Sequence, residues 1–341
     1  MSAKQQSSTG AAGKPAMTFD VSLSSPFFRE GVKAVGQAAM LAEELGFYAV
    51  QIGEHMAVPL REGDASTAPV EGAGKGKPTS GPLPLAWYDP GIMAAHLLTK
   101  TKRLRLIFNA LIVPFRPPMP AAKALATLDV VSGGRLIAGM GSGWMEGEFD
   151  ALGVPFHERG AITDEYIRTM KVLWTQDRAS FSGKYVNFHD IAFYPKCVQK
   201  PHIPVWICGT GPRALRRVVE MGDGWSPNDG TPQQLKEQMA WIKEQAQAKG
   251  RDPSKISLAF SLGLGAIPEG VVYQGGRKYF PAEPADTPEK AIDLIGRYKD
   301  AGVGHLSIRS YWTTPKEFMN NMEWFAAKVM PAFAKREPIK R

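Results

Sequence analysis

The sequence predicts an α/β fold, a TIM (β/α)8 barrel with loop insertions. Short apolar runs alternate with amphipathic stretches along the chain, which is typical of parallel strands joined by helices. Eight such strands alternate with eight such helices. The segment from Gly133 to Trp144, GGRLIAGMGSGW, also predicts a buried strand that opens into a glycine-lined loop. Parallel α/β folds bind ligands at the carboxyl ends of their strands, so we expect a site at this loop.

Each predicted element depends on its own local pattern. Runs or alternation of apolar residues predict eight barrel strands. They lie at residues 18–23, 47–52, 104–113, from 136 onward, and at 205–208, 224–227, 256–264 and 305–309. Helical spacing predicts helices at 31–45, 89–100, 120–131, 160–174, 232–248, 287–301 and 315–333, and one that begins after Gly211. Residues 181–193 predict an inserted hairpin, and residues 58–84 and 268–284 predict long loops.

The length of the chain agrees with one barrel. A bare barrel needs about 250 residues, and the surplus in this chain of 341 residues fits the loops and the N-terminal tail. We predict a disordered tail at residues 1–16 and one domain at residues 17–335. A doubly wound sheet is the rival fold, but its glycine fingerprint follows the first strand, whereas the alternating glycines here follow the fourth.

Composition excludes several classes of protein. The net charge is +8, yet no run of five basic residues is present, so we expect no nucleic-acid partner. No segment has the roughly 18 consecutive apolar residues of a membrane span. With only two cysteines, Cys197 and Cys208, and no apolar leader, we expect a cytoplasmic protein. We also expect no metal site. The sequence leaves open whether the protein forms a homodimer.

Four blocks of the sequence are distinctive when taken together: IVPFRPP from Ile112, TLDVVSGGRLIAGMGSGW from Thr127, EFDALGVPFHERGAITDEYIRTMKVLW from Glu148, and PVWICGTGPRALRRVVEMGDGWSP from Pro204. In this order they resemble the bacterial luciferase-like superfamily, especially its oxidoreductases that depend on the deazaflavin coenzyme F420. The resemblance implies a TIM barrel that holds a flavin or deazaflavin at the carboxyl ends of its strands. It also implies an oxidoreductase that acts on a small organic substrate.

Glu54 and His55 end the second predicted strand, where the resemblance implies an acidic residue followed by a catalytic histidine. Imidazole titrates near neutral pH, so His55 is the candidate to donate or accept the proton that accompanies hydride transfer. Glu54 then either orients His55 or remains a hydrogen-bonded neighbour. Some members carry a catalytic glutamate after the glycine loop, but this chain has Trp144 there, and Glu146 is out of register.

Two glycine-containing loops are candidates to bind the cofactor. One is formed by Gly141, Ser142 and Gly143. In the other, Gly209, Thr210 and Gly211 open a helix whose amides and dipole favour a phosphate. The helix itself carries Arg213, Arg216 and Arg217, which suit the anionic tail of F420. FMN is the alternative cofactor, and an FMN-dependent monooxygenase is the alternative enzyme, although Ser142 replaces the basic residue of some FMN-using relatives.

The resemblance also implies a cis peptide bond behind the cofactor ring, and alignment on Pro114 puts it between Asn109 and Ala110. Asn109 is polar within an apolar strand, and Ala110 is small enough to leave room for a ring. Aromatic residues near loop ends are candidates to line the substrate cavity, although packing would explain them equally well. They are Trp87, Tyr88, Trp144, Phe193 and Trp312. A two-lobed solute-binding protein and a non-catalytic flavin-binding protein are the remaining alternatives.

Overall fold

The computed structural model describes residues 17–23, 30–57, 87–265 and 284–333. Eight parallel strands close into a barrel, in which each strand pairs with its neighbours along the chain and the last pairs with the first. The predicted TIM barrel is therefore confirmed. The barrel strands are β1 (Thr18–Ser22), β2 (Ala49–Ile52), β3 (Arg105–Ile112), β4 (Leu136–Gly141), β7 (Val205–Cys208), β8 (Gly224–Ser226), β9 (Ser257–Leu264) and β10 (His305–Ser310).

Helices pack around the barrel and connect its strands. They are α1 (Val32–Glu44), α2 (Pro90–Lys100), α3 (Pro118–Ser132), α4 (Glu146–Leu152), α5 (Arg159–Thr175), α6 (Pro212–Met221), α7 (Pro232–Ala248), α8 (Pro288–Asp300) and α9 (Pro315–Lys328). The short helix α4 is absent from the sequence prediction, because seven residues are too few to show helical periodicity. The predicted hairpin is confirmed as the antiparallel pair β5 (Ala179–Ser182) and β6 (Asn187–Ile191).

Local chemistry explains several of the helix ends. The Asp89 carboxylate accepts a hydrogen bond from the Ile92 amide at 2.9 Å and caps α2, while Thr287 caps α8 through the Lys290 amide at 3.3 Å. Gly133 ends α3 in the left-handed conformation, with φ 66° and ψ 38°, as its sequence position predicts. Asp89 and Thr287 thus mark where α2 and α8 begin, and Gly133 marks where α3 ends before β4.

The apolar core has two parts, which the barrel wall separates. A small cluster inside the barrel contains Ala49, Ile107, Ile137, Trp206 and Ala259. The larger cluster lies between the outer strand faces and the helices. A packed barrel interior closes the amino end of the barrel, so a ligand can enter only from the opposite end. The predicted tail at residues 1–16 and most of the two predicted long loops lie outside the described residues.

Candidate active site

His55 lies at the mouth of the barrel, just beyond the carboxyl end of β2. Its Nδ1 is 3.0 Å from Oε2 of Glu148, and the side chains of the two residues are only 11% and 1% exposed. The rings of Trp87 and Trp144 stand edge-on to the imidazole, with centroids at 4.8 and 6.1 Å. These contacts fix the plane of the ring. The second ring nitrogen, Nε2, makes no hydrogen bond to any described residue.

Glu148 also holds the backbone that follows His55. Its Oε1 accepts hydrogen bonds from the amide of Met56 and, at 3.2 Å, from the amide of Ala57. A single buried carboxylate thus binds one side chain and two backbone donors of the same short segment. This glutamate therefore fixes both the imidazole and the loop that carries it.

The Glu54 side chain forms no hydrogen bond with His55 among the described residues, so of the two alternatives left open for it the structure does not support an orienting role. Its carboxylate accepts from the Ile112 amide at 2.8 Å and forms an ion pair with Arg116. Arg116 also donates to Asp89 at 3.0 Å. Burial raises the pKa of the Glu54 carboxyl, and Arg116 and the Ile112 amide oppose that rise only in part. Glu54 therefore joins the end of β2 to β3 and to the start of α2.

The sequence interpretation missed Glu148 as a site residue, although it opens one of the family-like blocks. Glu148 and Phe149 form the buried side of α4, whereas Glu146 is exposed and lies 3.7 Å from His157. Because the seven-residue helix α4 contains both Glu146 and Glu148, its sequence does not indicate which of the two side chains is buried. Trp144 takes the position after the glycine loop, and the glutamate that reaches the histidine comes from one turn further along the chain.

The backbone of β3 forms one wall of the mouth at Asn109 and Ala110. The peptide bond between these residues is cis, as predicted, and the register between β3 and β4 shifts across this point. Asn109 Oδ1 accepts a hydrogen bond from the thiol of Cys208 at 3.1 Å. Burial raises the pKa of Cys208 to about 12, so the thiol remains a protonated donor. Cys208 therefore helps to orient the Asn109 side chain.

Small residues leave this wall flat. A Cβ atom on Gly141 would lie 3.2 Å from the methyl group of Ala110, and one on Gly53 would lie 3.3 Å from the carbonyl oxygen of Asn109. Gly143 has a different reason to be glycine, because its φ is +79° and a Cβ atom would meet the Phe149 ring at 2.6 Å. Gly143 thus serves packing, and the half-buried Ser142 lies between it and Gly141.

The loop between β7 and α6, predicted to bind a phosphate, has one amide that already has a partner among the described residues and two that do not. The Gly209 amide donates to the carbonyl of Ser226 at 3.1 Å, so it is already used in the barrel, contrary to its predicted part in an anion site. The amides of Thr210 and Gly211 donate to no described residue. They lie at the N-terminus of α6, which is electropositive. This pair of amides is the part of the loop that could bind a phosphate.

The arginines of α6 have different environments. Arg213 and Arg216 are exposed. Arg217 is 4% exposed, forms an ion pair with Asp164 and donates to the carbonyl of Gly160 at 3.2 Å. The prediction that Arg217 contributes to cofactor binding is therefore wrong, since its charge is neutralised between α6 and α5.

Arg159 is a basic residue of the site that the sequence interpretation missed. Its guanidinium donates to the carbonyl of Gly143 at 3.2 Å and lies 3.7 Å above the Phe156 ring. Burial and the nearby charge of Arg213 lower the pKa of Arg159. Arg159 thus places a positive charge beside the glycine loop, within electrostatic range of Arg213. Sequence patterns could not show this, because the two arginines lie on different helices.

The predicted cavity aromatics divide between the site and the core. Trp87 and Trp144 contact His55, as described above. Phe193 is 3% exposed and packs in the outer core, where Tyr88 and Trp312 also pack. No described helix has the length and hydropathy needed to cross a membrane. Across the described ranges, no group of three or more histidine, cysteine, aspartate or glutamate side chains could hold a metal ion.

Comparison with known proteins gives matches that cover most of the chain. The model of a family described as luciferase-like monooxygenase matches residues 4–265. The FMNH(2)-dependent dimethylsulfone monooxygenase of Pseudomonas putida is 36% identical over 157 residues, which are 45% of this chain and 43% of that enzyme. An uncharacterized protein of Mycobacterium tuberculosis is 33% identical over 224 residues, which are 63% of this chain and 74% of that protein.

A solved structure extends the likeness to nearly the whole fold. It is an F420-dependent secondary alcohol dehydrogenase in complex with an F420-acetone adduct, with a TM-score of 0.73 and 19% identity. The match covers 94% of this chain and 100% of that one. At this level of identity the likeness shows a shared fold.

Proposed function

Since the chain belongs to the luciferase-like monooxygenase family, we propose that it is an oxidoreductase that transfers a hydride between coenzyme F420 and a small organic substrate. The observation that carries the proposal is His55. Glu148 occupies its Nδ1, and its Nε2 remains for chemistry beside a wall of very small residues. An imidazole held through one ring nitrogen can exchange at the other the proton that accompanies hydride transfer.

The residues of the mouth fit a flat tricyclic ring with an anionic tail. Gly53, Ala110 and Gly141 leave no side chain large enough to hold a ring away from the β3 backbone. The amides of Thr210 and Gly211 and the side chain of Arg213 suit a phosphate at the N-terminus of α6. When bound, F420 supplies the ring carbon that gains or loses the hydride. His55 then holds or moves a proton at Nε2.

An FMN-dependent monooxygenase is the second candidate. It is supported by the likeness to the FMNH(2)-dependent enzyme of Pseudomonas putida. F420 is favoured because Arg159 places a positive charge beside the glycine loop, within electrostatic range of that of Arg213, which suits a tail with several negative charges better than one phosphate. The two proposals differ in cofactor, so a binding measurement separates them.

The test is a fluorescence titration of the purified protein with F420 and with FMN. We expect F420 to bind at least about tenfold more tightly, which corresponds to about 1.4 kcal/mol. The affinity for F420 should fall as salt is raised, because exposed charges are screened. Equal affinities, or FMN that copurifies with the protein, would favour the monooxygenase.

Arg213 offers a matched pair of variants for this titration. Arg213→Gln should weaken F420 binding by about tenfold, whereas Arg216→Gln, which removes the same charge from an exposed position one turn further along α6, should change it by less than about twofold. Equal F420 affinities of the two variants would show that Arg213 does not contribute specifically to cofactor binding.

A further inference from the structure

Glu148 and Glu165 are buried glutamates that each accept hydrogen bonds from more than one backbone amide, and they differ in one respect. Glu165 accepts hydrogen bonds from the amides of Lys184, Tyr185 and Val186 at 2.9, 2.7 and 2.7 Å. Glu148 accepts from two amides, and its second oxygen accepts from a histidine ring. Support of a loop accounts for every hydrogen bond that Glu165 accepts. For Glu148, support of a loop does not account for the hydrogen bond between its Oε2 and Nδ1 of His55.

A carboxylate that bonds a neutral imidazole selects which ring nitrogen carries the proton. The carboxylate is only an acceptor, so Nδ1 must be the donor, and Nε2 is then left as an acceptor. When the ring gains a second proton at Nε2, the resulting positive charge lies against the carboxylate at 3.0 Å. Glu148 therefore accepts a hydrogen bond from Nδ1 of His55 both when the ring is neutral and when it is doubly protonated.

We propose that Glu148 is a positioning residue that keeps His55 in the Nδ1-protonated form, with Nε2 directed to chemistry at the barrel mouth. This inference rests on the proposed function for its catalytic consequence, but the tautomer itself depends only on the contact. Trp87 and Trp144 restrict rotation of the ring, so Nδ1 and Nε2 cannot exchange places by a flip. Glu148 thus acts on the reaction through the histidine and touches no reacting atom.

The variant Glu148→Gln separates positioning from structural support. The amide oxygen of this variant can still accept from Met56 and Ala57, so the loop keeps its support. The amide nitrogen is only a donor, so it forces Nδ1 of His55 to become the acceptor and moves the ring proton to Nε2. Glu165→Gln is the matched control, because it makes the same change in a buried carboxylate that contacts no histidine among the described residues.

The primary measurement is the ¹⁵N NMR signal of His55 in the whole protein, assigned with His55→Asn. In the neutral ring we expect the proton on Nδ1 in the original protein and in Glu165→Gln, and on Nε2 in Glu148→Gln. In the enzyme assay we expect turnover at saturation to fall about 10²-fold in Glu148→Gln, with cofactor affinity changed less than about threefold. Glu165→Gln should leave both quantities unchanged.

The possible outcomes separate the two proposals. If Glu148→Gln has the same tautomer as the original protein, or turns over at the original rate, the positioning role is overturned. If the original protein turns over no substrate with either F420 or FMN, the proposed function fails, and a tautomer that still changes in Glu148→Gln supports the assignment of Glu148 on its own. If Glu148→Gln unfolds, the tautomer of the original protein decides, since a proton on Nε2 contradicts the proposal.

Discussion

Among the described residues, two histidine–carboxylate pairs are joined by a hydrogen bond, one at each end of the barrel. The mouth pair is His55 with Glu148, 3.0 Å apart, and the bottom pair is His305 with Asp20, 2.6 Å apart. In the bottom pair, Thr18 lies 2.8 Å from the second ring nitrogen of His305, and Ser307 donates to the second oxygen of Asp20 at 2.6 Å. Every polar atom of the bottom pair has a partner, whereas Nε2 of His55 has none among the described residues.

The comparison shows that the pairing alone does not make a reactive group. Both histidines are close to a buried carboxylate. The bottom pair lies next to Trp206, whose ring centroid is 5.3 Å from that of His305, and its side chains are 5% and 0% exposed. What makes the mouth pair a candidate for catalysis is one unused nitrogen on the side where parallel barrels bind ligands.

The largest effect should come from removing the histidine of the mouth pair. His55→Ala should lower turnover by roughly 10²-fold or more, with a smaller change in cofactor affinity, because it removes a general acid or base. His305→Ala should lower stability while the folded fraction keeps its turnover. Steady-state rates and fluorescence titrations measure both quantities. A His55→Ala protein that loses cofactor binding but turns over normally at saturation would contradict the catalytic role.

The second effect concerns stability at the bottom pair. Asp20→Ala should lower the free energy of unfolding by about 3–5 kcal/mol, because it leaves the His305 ring and the Ser307 hydroxyl buried without their acceptor. Urea denaturation followed by tryptophan fluorescence gives the value. A loss below about 1 kcal/mol would mean that the network is not a stabilising feature.

The smallest effect tests one member of that network. Thr18→Val removes the hydroxyl that pairs with Nδ1 of His305 and should cost about 0.5–1.5 kcal/mol. Thr175→Val is the matched control, because the Thr175 hydroxyl donates to its own helix at Lys171 in an exposed position. The control should change stability by less than about 0.5 kcal/mol. Equal losses in the two variants would show that the contact with His305 adds nothing.

The barrel could be predicted from the sequence because its signal is local and repeated. Strands of three to eight residues, and helices with caps such as Asp89 and Gly133, define the elements one at a time. His55 could also be identified, since it follows the end of a predicted strand and matches the family pattern. The cis bond at Asn109 was identified through the family resemblance alone.

The partners of the site residues could not be predicted, because they are contacts between distant parts of the chain. Glu148 is 93 residues from His55, and Arg116 is 62 residues from Glu54. Adjacent charged residues such as Glu54 and His55 point to different neighbours, since successive residues at the end of a strand face opposite ways. Arg217 shows the same limitation, because its burial against Asp164 depends on how two helices pack.

Arg116 has a consequence for how this enzyme could diversify. It joins Glu54, at the end of β2, to Asp89, which starts α2, and Glu148 binds the amides of Met56 and Ala57. The described residues on both sides of positions 58–86 are therefore held by contacts from elsewhere in the fold. Because Glu148 and Arg116 make these contacts, we expect His55 to keep its position when positions 58–86 are changed in length or sequence.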